Sequence, residues 1–174
     1  MKCKLIAFDL DGTFLRDDKS IPPENMAVLE KAAAQGIHIV PSSGRIYPGI
    51  PPELKEAPFI RYYICGNGAS IYDRFSDRTI YRAEIPNALA LRCVEHMRTL
   101  GTAYDCYQNE WGYMNRDILA RLDRWIPDPG LLNHVKSIRT PVDDLYTMLR
   151  ENGGSVMKLQ LYFDNIFVNY MTTS

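Results

Sequence analysis

The chain has 174 residues, of which 46% are hydrophobic, and a formal net charge of -1 at pH 7. This length suffices for one ordinary domain or two small ones with a buried core, and the near-neutral charge argues against a nucleic-acid or other polyanion partner. Because no apolar stretch approaches the roughly 18 residues of a membrane span and the four cysteines form no CxxC pair, we expect a cytoplasmic protein without a membrane partner.

The first elements in chain order form a βαβ pattern. Residues Leu5–Phe8 are continuously apolar, which predicts a strand buried on both faces, as in a parallel sheet. A helix should start in the segment IPPE at residues 21–24, with Ser20 or a neighbour as its cap, and should end at Gly36. The apolar run Ile37–Val40 then predicts a second strand, parallel to the first.

Three polar, glycine-containing loops follow apolar strands. The first two are Asp9–Gly12 and Ser42–Arg45, and the third, Gly66–Gly68, follows a predicted strand at Tyr62–Cys65. In an open α/β sheet the carboxyl ends of parallel strands share one edge, where ligands bind. We therefore expect the three loops to converge on one site.

Two aspartates in the first loop indicate the chemistry of that site. Asp9 and Asp11 lie on the same side of an extended chain, with Leu10 turned away. Such close carboxylates repel each other unless a cation is present, and an oxygen-only site favours Mg²⁺. A metal-bound carboxylate can attack phosphorus. Gly12 allows backbone amides to face an anion, and Ser43 supplies a hydroxyl donor to a phosphoryl oxygen.

The segments FDLDGTFL, IVPSSGR and YYICGNGASIYD, in this order, resemble the haloacid dehalogenase-like hydrolases, specifically the Cof-type phosphatases, in which a large cap is inserted after the third strand. The resemblance implies an α/β fold with a Rossmann-like parallel core and an α+β cap. It also implies Mg²⁺-dependent hydrolysis of a small phosphorylated metabolite, such as a sugar phosphate or a nucleotide-like phosphomonoester, through an aspartyl-phosphate intermediate.

The resemblance also implies roles for single residues. Asp9 would be the nucleophile, and Asp11 the acid/base that protonates the leaving group and then activates water. Asp9 through its carboxylate and Asp11 through its backbone carbonyl would ligate Mg²⁺. Ser43 would bind the transferring phosphoryl group. The residues implied in binding substrate or phosphate are Gly12, Ser43, Gly44, Arg45 and Asn67.

The family pattern predicts two domains, the N-terminal part of the core at residues 1–83 and the cap at residues 84–174. Two later family motifs, a lysine and an acidic GDxxND-like element, find no match, because Lys158 reads as a cap residue and Asp164-Asn165 lacks the required spacing. The first strand would then have a bare edge open to self-association. A fragment, a natural truncation and a second chain that supplies this edge remain alternatives, as does a catalytically impaired binding module.

The second half of the chain predicts an α+β layer, with helices on one face of an antiparallel sheet. The predicted helices span Pro86–Leu100, Ile118–Trp125 and Pro141–Asn152, and the predicted strands span Thr102–Gln108, Trp111–Asn115 and Lys158–Phe163.

Each site residue also has a structural interpretation. Asp9 and Asp11 could be turn and helix-cap residues, and Ser43 could cap a following helix. Arg45 could form a surface ion pair of little energetic value. Asn67 could be present because asparagine tolerates the left-handed backbone of a tight turn.

Overall fold

A computed structural model of the chain describes residues 3–163. The chain divides into two compact units, Met1–Ala83 and Glu84–Ser174. The predicted α/β class is confirmed, with a parallel sheet in the first unit and an α+β arrangement in the second. Asp164 and Asn165, which were considered for a metal motif, lie outside the described residues.

The predicted βαβ pattern is present in the first unit. Strand β1 (Leu5–Phe8) pairs in parallel with β2 (His38–Pro41), and helix α1 (Pro23–Ala34) connects them. Helix α1 begins with proline at its first position, where the missing N–H costs nothing. The cap was predicted at Ser20 or a neighbour. Pro22, two residues further on, occupies the cap position without a side-chain hydrogen bond, and the Ser20 side chain instead bonds to Asp18.

The third predicted strand, β3 (Tyr62–Cys65), lies beside β2. Parallel bridges join Ile39 to Ile60 and Ser42 to Ile64, and the short helix α2 (Pro52–Glu56) lies in the connection. Beyond β3 the chain turns back twice, forming the antiparallel strands β4 (Ser70–Asp73) and β5 (Arg78–Arg82). The three strands that precede the polar loops therefore run in the same direction.

The core of the first unit lies under the three loops. Its buried cluster includes Leu10, Leu29, Ile39 and Tyr63, and the Tyr63 hydroxyl donates a hydrogen bond to the Leu54 carbonyl at 2.8 Å. Burying one such aliphatic side chain stabilises the fold by about 1.5–3 kcal/mol. The loop that carries the two aspartates is thus fastened to the core through Leu10.

The prediction that β1 is buried on both faces is wrong. Leu5 is 53% exposed, and Ala7 is exposed as well, whereas Ile6 and Phe8 pack against the core. Among residues 3–163 the hydrogen-bonded neighbour of β1 is β2 alone. A strand with one partner and one covered face leaves alternate side chains in solvent.

The second unit contains a four-stranded sheet in the order β8-β7-β6-β9. The predicted antiparallel sheet is correct for the β6–β7 and β6–β9 pairs, but β7 and β8 are parallel. No helix within residues 3–163 is both long and apolar enough to cross a membrane. The elements are α3 (Asn87–Met97), β6 (Ala103–Gln108), β7 (Trp111–Asn115), α4 (Arg116–Ala120), α5 (Pro129–Ser137), β8 (Arg139–Val142), α6 (Leu145–Asn152) and β9 (Lys158–Tyr162).

The predicted helix from Pro141 to Asn152 is wrong in its first part. Residues Arg139–Val142 form β8, and α6 begins only after Asp144, whose carboxylate accepts from the Thr147 amide at 2.7 Å. A capping aspartate marks a helix start more reliably than the apolar pattern before it. Helix α5 was not predicted, although Asp128 caps it in the same way.

Apolar residues of α3 and α6 pack with the sheet in the core of the second unit. Val94 and Leu149 are fully buried, and all six residues of β6 are buried. Leu89 and Leu100, two apolar residues within the predicted helix Pro86–Leu100, are 47% and 44% exposed. The strand β6 is therefore covered on both faces, and its two faces differ in chemistry.

Candidate active site

The first loop of the site leaves β1 in an extended conformation and presents its two aspartates to solvent. Asp9 has φ -79° and ψ 154°, Leu10 is fully buried, and Asp11 is again extended. Asp9 and Asp11 are exposed. Because alternate side chains of an extended segment point to opposite sides, burial of Leu10 directs the two carboxylates outward. The loop closes as one wide helical turn, with the Leu15 amide donating to the Leu10 carbonyl at 2.9 Å.

Two small residues complete the first loop. Gly12 has φ +78°, a conformation that side chains with a Cβ rarely adopt. Thr13 donates from its hydroxyl to Oδ2 of Asp9 at 3.0 Å. The Asp9 carboxylate is therefore oriented by one neutral donor while it stays accessible to solvent.

The second loop is held to the third strand through its backbone. Ser43 is only 4% exposed, and its amide donates to the Ile64 carbonyl at 2.9 Å. The Ser43 hydroxyl accepts from the Arg45 amide at 3.2 Å. The alternative that Ser43 caps a following helix is wrong, because the next helical turn begins only at Tyr47, after a cap position at Ile46.

Asn67 in the third loop packs directly on the second loop. Its backbone amide donates to the Ser43 carbonyl at 3.0 Å, and the backbone amide of the neighbouring Gly66 donates to the Arg45 carbonyl at 2.9 Å. Asn67 has φ 59° and ψ 34°, which is the left-handed conformation considered for it. A Cβ at Gly44 would lie 2.8 Å from Oδ1 of Asn67, so any larger residue there would require the Asn67 side chain to shift.

The first and second loops meet through an ion pair. Arg45 donates to both carboxylate oxygens of Asp11, from Nε to Oδ2 and from Nη2 to Oδ1, each at 2.8 Å. Its third nitrogen, Nη1, donates to the Gly49 carbonyl at 3.0 Å. The expected convergence of the three loops is thus observed as contacts between loops one and two and between loops two and three.

Lys19 is a further member of this site that the sequence analysis did not select. Its ammonium donates to Oδ1 of Asp11 at 3.1 Å. Lys19 has φ +67° in a tight turn, in which its amide donates to the Arg16 carbonyl at 2.9 Å. Asp18 fixes this turn by accepting from the amide and the hydroxyl of Ser20. The sequence Asp18-Lys19-Ser20 is a detectable signal of a turn, but it does not indicate that Lys19 pairs with Asp11.

The two cations change the acidity of Asp11. Hydrogen bonds from the Arg45 guanidinium, supported by Lys19, lower the pKa of the Asp11 carboxyl to about 2, although partial burial opposes this shift. Opposite charges within hydrogen-bond distance favour the ionised form of a carboxyl group. At neutral pH, Asp11 in this arrangement is therefore a carboxylate.

The donor atoms near the two aspartates suit a hard cation. The Asp9 carboxylate and the Asp11 backbone carbonyl are oxygen donors of the kind that Mg²⁺ prefers, and this ion commonly keeps several waters. The Asp11 carboxylate is instead held by Arg45 and Lys19. No group of three or more His, Cys, Asp or Glu side chains within residues 3–163 is arranged to hold a metal. These residues therefore fit Mg²⁺ as a partial ligand set.

Lys158 lies in the second unit, on strand β9. Its ammonium lies 5.6 Å from the centroid of the Tyr107 ring, and burial lowers its pKa. Tyr107, which pairs with Lys158 across the strands, lies on the same face of β6 as Asp105. The surroundings of Lys158 therefore belong to the sheet of the second unit.

The fold and the loop geometry together define an α/β protein with a cluster of polar loops at the carboxyl edge of a parallel sheet. The sequence model of a family described as haloacid dehalogenase-like hydrolase matches residues 6–165. The chain belongs to this family, and the predicted resemblance to its Cof-type members is confirmed.

Individual relatives match over parts of their length. The chain is 36% identical to the HMP-PP phosphatase of Serratia proteamaculans over 70 residues, which are 40% of this chain and 26% of that protein. It is 30% identical to the pyridoxal phosphate phosphatase of Escherichia coli over 95 residues, which are 55% of this chain and 35% of that protein.

A solved structure supports the fold over nearly the whole chain. A haloacid dehalogenase-like hydrolase from B. subtilis matches with a TM-score of 0.71 at 22% identity, covering 97% of this chain and 65% of that chain. The matches therefore cover less than two thirds of the length of each of these three relatives.

Proposed function

We propose that this chain carries the nucleophile-bearing part of a Mg²⁺-dependent phosphatase that hydrolyses a small phosphomonoester. The observation that carries the proposal is the convergence of three loops at one sheet edge, where an accessible Asp9 lies two residues from an Asp11 held by Arg45. Family membership supports the reaction class, because matched relatives include proteins named as phosphatases.

The proposed reaction has two steps. In the first, a carboxylate oxygen of Asp9 forms a bond to phosphorus, the bond from phosphorus to the leaving oxygen breaks, and that oxygen takes a proton from the Asp11 carboxyl. In the second, the Asp11 carboxylate takes a proton from water, and the resulting hydroxide bonds to phosphorus. The bond from phosphorus to Asp9 then breaks, which releases inorganic phosphate and restores both side chains.

The first step requires Asp11 to hold a proton. With its pKa lowered to about 2, Asp11 is ionised at neutral pH, which is the form that accepts a proton in the second step. A phosphate dianion bound beside it would raise this pKa, because like charges disfavour the ionised form. Substrate binding would in this way supply the protonated acid.

Other residues of the loops would bind and orient the phosphoryl group. Gly12 permits the backbone turn that directs amides toward an anion, and Ser43 offers a hydroxyl. Gly44 and Asn67 fix the shape of this cradle. When bound by Asp9 and the Asp11 carbonyl, Mg²⁺ would neutralise phosphate charge.

The substrate class follows from the relatives, whose names refer to HMP-PP and pyridoxal phosphate. We propose a small phosphorylated metabolite as the substrate and the cytoplasm as the place of action. The second unit would be the cap that selects this metabolite, and residues 1–83 would be the N-terminal part of the core.

The nucleophile is tested by measuring hydrolysis of 4-nitrophenyl phosphate with Mg²⁺. Asp9→Asn is expected to lower kcat by at least about a thousandfold, because an amide cannot attack phosphorus. Asp17→Asn is the matched control, since Asp17 is an exposed aspartate on the same segment. Equal turnover by the wild-type chain and Asp9→Asn would contradict the proposal.

A second candidate is a phosphate-binding module without turnover. The observation that favours it is the partial ligand set, which includes no group of three acidic, His or Cys ligands within residues 3–163. Calorimetry with inorganic phosphate and Mg²⁺ separates the two candidates. Binding without turnover in the same preparation indicates the module, whereas turnover indicates the enzyme.

A second copy of the chain is a proposed partner along β1. Leu5 is 53% exposed, and the described part of the chain pairs β1 with β2 only. Exposed strand edges pair readily with other strands. Sedimentation over a range of concentrations is expected to show self-association that Leu5→Lys weakens. Leu131→Lys, at a site 52% exposed in the second unit, should leave it unchanged.

A further inference from the structure

Arg45 is fastened at all three of its nitrogen atoms. Nε and Nη2 donate to the two oxygens of Asp11, and Nη1 donates to the Gly49 carbonyl. Its side chain is 20% exposed, compared with 42% for Asp11. These contacts use three of the five N–H donors of the guanidinium, and two of the three go to Asp11. Among the contacts of residues 3–163, Arg45 is therefore a support for Asp11.

The segment that supplies the Gly49 carbonyl packs against aromatic residues of the first unit. Tyr47 begins this helical turn, and its ring stacks on Tyr72 at 3.7 Å between centroids and meets the edge of Tyr63 at 5.1 Å. Aromatic pairs in such arrangements are worth about 0.5–1.5 kcal/mol beyond their buried area. The aromatic contacts thus hold the turn that contains Gly49 against the core of the first unit. The Gly49 carbonyl in turn holds Arg45, and Arg45 holds the Asp11 carboxylate.

The donors on Asp11 also select one of its oxygen positions. A carboxylate offers about four lone-pair positions, two on each oxygen. Oδ1 accepts from Arg45 and Lys19, whereas Oδ2 accepts from Arg45 alone. Of the two lone-pair positions on Oδ2, one thus has no hydrogen-bond donor among the residues that the structure describes. A proton exchanged with a bound molecule would use this position.

We propose that Arg45 is a positioning residue, which orients the Asp11 carboxyl so that Oδ2 exchanges the proton, and that it does not bind the transferring phosphoryl group. This inference rests on the proposed function and revises the phosphate-binding role expected of Arg45. Lys19, eight residues further along the chain, supports the same carboxyl and has a smaller part, because its longer contact is to one oxygen only.

The test uses two phosphate esters that differ in their leaving groups. 4-Nitrophenolate leaves without protonation, whereas the alkoxide of glycerol 2-phosphate needs a proton. Arg45→Ala is therefore expected to lower kcat/KM for glycerol 2-phosphate by about tenfold or more beyond its effect on 4-nitrophenyl phosphate. Inhibition by inorganic phosphate should change by less than about twofold. Equal losses on both esters together with weaker phosphate inhibition would overturn the proposal.

Two further variants separate geometry from charge. Arg45→Lys keeps the charge but loses the planar fork, so it is expected to show the same dependence on leaving group as Arg45→Ala. Full recovery by lysine would overturn the positioning role. Arg78→Ala is the matched control, because Arg78 is exposed on β5 of the same unit; it should match the wild-type chain on both esters.

A second measurement does not depend on turnover. Urea unfolding of the first unit is measured in Asp11→Asn, in Arg45→Ala and in the double variant. The effects are expected to be non-additive. The change in folding equilibrium constant of the double variant should differ by about threefold or more from the product of the changes in the two single variants. Additive effects would overturn the inference even in an active enzyme. Coupled residues with no turnover in the wild-type chain would instead reject the proposed hydrolysis, and with it the role of Arg45 in orienting the Asp11 carboxyl for proton exchange.

Discussion

Each unit of the molecule holds an aspartate against an arginine, and the two pairs lie in opposite surroundings. In the first unit the side chains of Asp11 and Arg45 are 42% and 20% exposed. In the second unit those of Asp105 and Arg139 are 0% and 2% exposed, and Nε of Arg139 donates to Oδ2 of Asp105 at 2.6 Å. The same two functional groups thus meet once in contact with water and once without it.

The surroundings decide the direction of the pKa shift. Hydrogen bonds from Arg45 dominate at Asp11 and lower its pKa to about 2. At Asp105, burial dominates and raises the pKa, although Arg139 and Tyr162 act in the opposite direction. Removing a carboxylate from water costs several kcal/mol, which a single partner does not fully offset. A solvated pair can therefore exchange protons with ligands, whereas the buried pair is a structural element.

The buried pair is embedded in a small network. The Tyr162 hydroxyl donates to Oδ2 of Asp105 at 2.7 Å and accepts from Nη2 of Arg139 at 3.0 Å. The guanidinium carbon of Arg139 lies 4.5 Å from the centroid of the Tyr107 ring. A Cβ at Gly112 would lie 2.9 Å from Cδ of Arg139, so the strand needs glycine there to admit the arginine. The network thus joins β6, β7, β8 and β9.

Removing Arg139 should have the largest effect on stability. Arg139→Ala leaves Asp105 buried without a counter-charge and is expected to lower the free energy of unfolding of the second unit by about 3–5 kcal/mol. Trp111 and Trp125, the two tryptophans of the chain, both lie in this unit. Urea unfolding followed by tryptophan fluorescence therefore measures the change.

A double variant is the control for this prediction. Asp105→Leu combined with Arg139→Met removes both charges and keeps apolar volume, so it should regain most of the lost stability. If Arg139→Ala unfolded within about 0.5 kcal/mol of the wild-type chain, the contrast between the two pairs would be wrong.

Removing the Tyr162 hydroxyl should have an intermediate effect. Tyr162→Phe deprives Oδ2 of Asp105 of one donor and Arg139 of one acceptor, and is expected to cost about 1–3 kcal/mol. The same fluorescence measurement applies. Tyr113→Phe is the matched control, because Tyr113 lies in the same unit, on β7, and its hydroxyl is not part of this network, and should change stability by less than about 0.5 kcal/mol.

The two aspartates should respond to pH in opposite directions. The folded pKa of Asp11 is about 2, below its ordinary value of 3.8, so its contribution is present above about pH 4 and is lost as the pH falls toward 2. Exposure limits this contribution to about 1 kcal/mol or less. The folded pKa of Asp105 is raised, so its contribution is present at low pH and is lost as the pH rises through that pKa.

Comparison with asparagine variants isolates these contributions. On acidification, the stability difference between the wild-type chain and Asp11→Asn should shrink in the first unit, as followed by hydrogen exchange of its core amides. In the second unit, acidification should raise the stability of the wild-type chain relative to that of Asp105→Asn. Slopes of the same sign would refute the assignment of burial as the dominant cause at Asp105.

The smallest effect is expected at a fully solvated pair. Arg116 and Asp143 meet at 3.2 Å with side-chain exposures of 65% and 93%. Arg116→Ala is expected to change the free energy of unfolding by about 0.5 kcal/mol or less, since water and salt screen such pairs. A loss comparable to that of Arg139→Ala would show that pairing rather than burial sets the cost.

Much of the first unit was predictable because its signals are local. The apolar runs of β1 and β3, the proline that opens α1 and the left-handed Gly36 that follows it each depend on neighbouring residues. In the second unit the strands β6 and β7 were predicted equally well. The parallel pairing of β8 with β7 was not, because strand direction depends on the connection between the strands rather than on residues within them.

The candidate site likewise combines features that the local sequence predicts with contacts that it does not predict. The sequence by itself determined the family, the three loops, and the residue types at Asp9, Asp11, Ser43 and Asn67, since these stand in short contiguous motifs. Only the tertiary structure decided that Arg45 and Lys19 converge on Asp11 and that Arg139 is buried with Asp105. Each arginine lies 34 residues from its aspartate. Contacts at such separation arise when the strands pair, and burial then sets their electrostatics, so no local pattern encodes them.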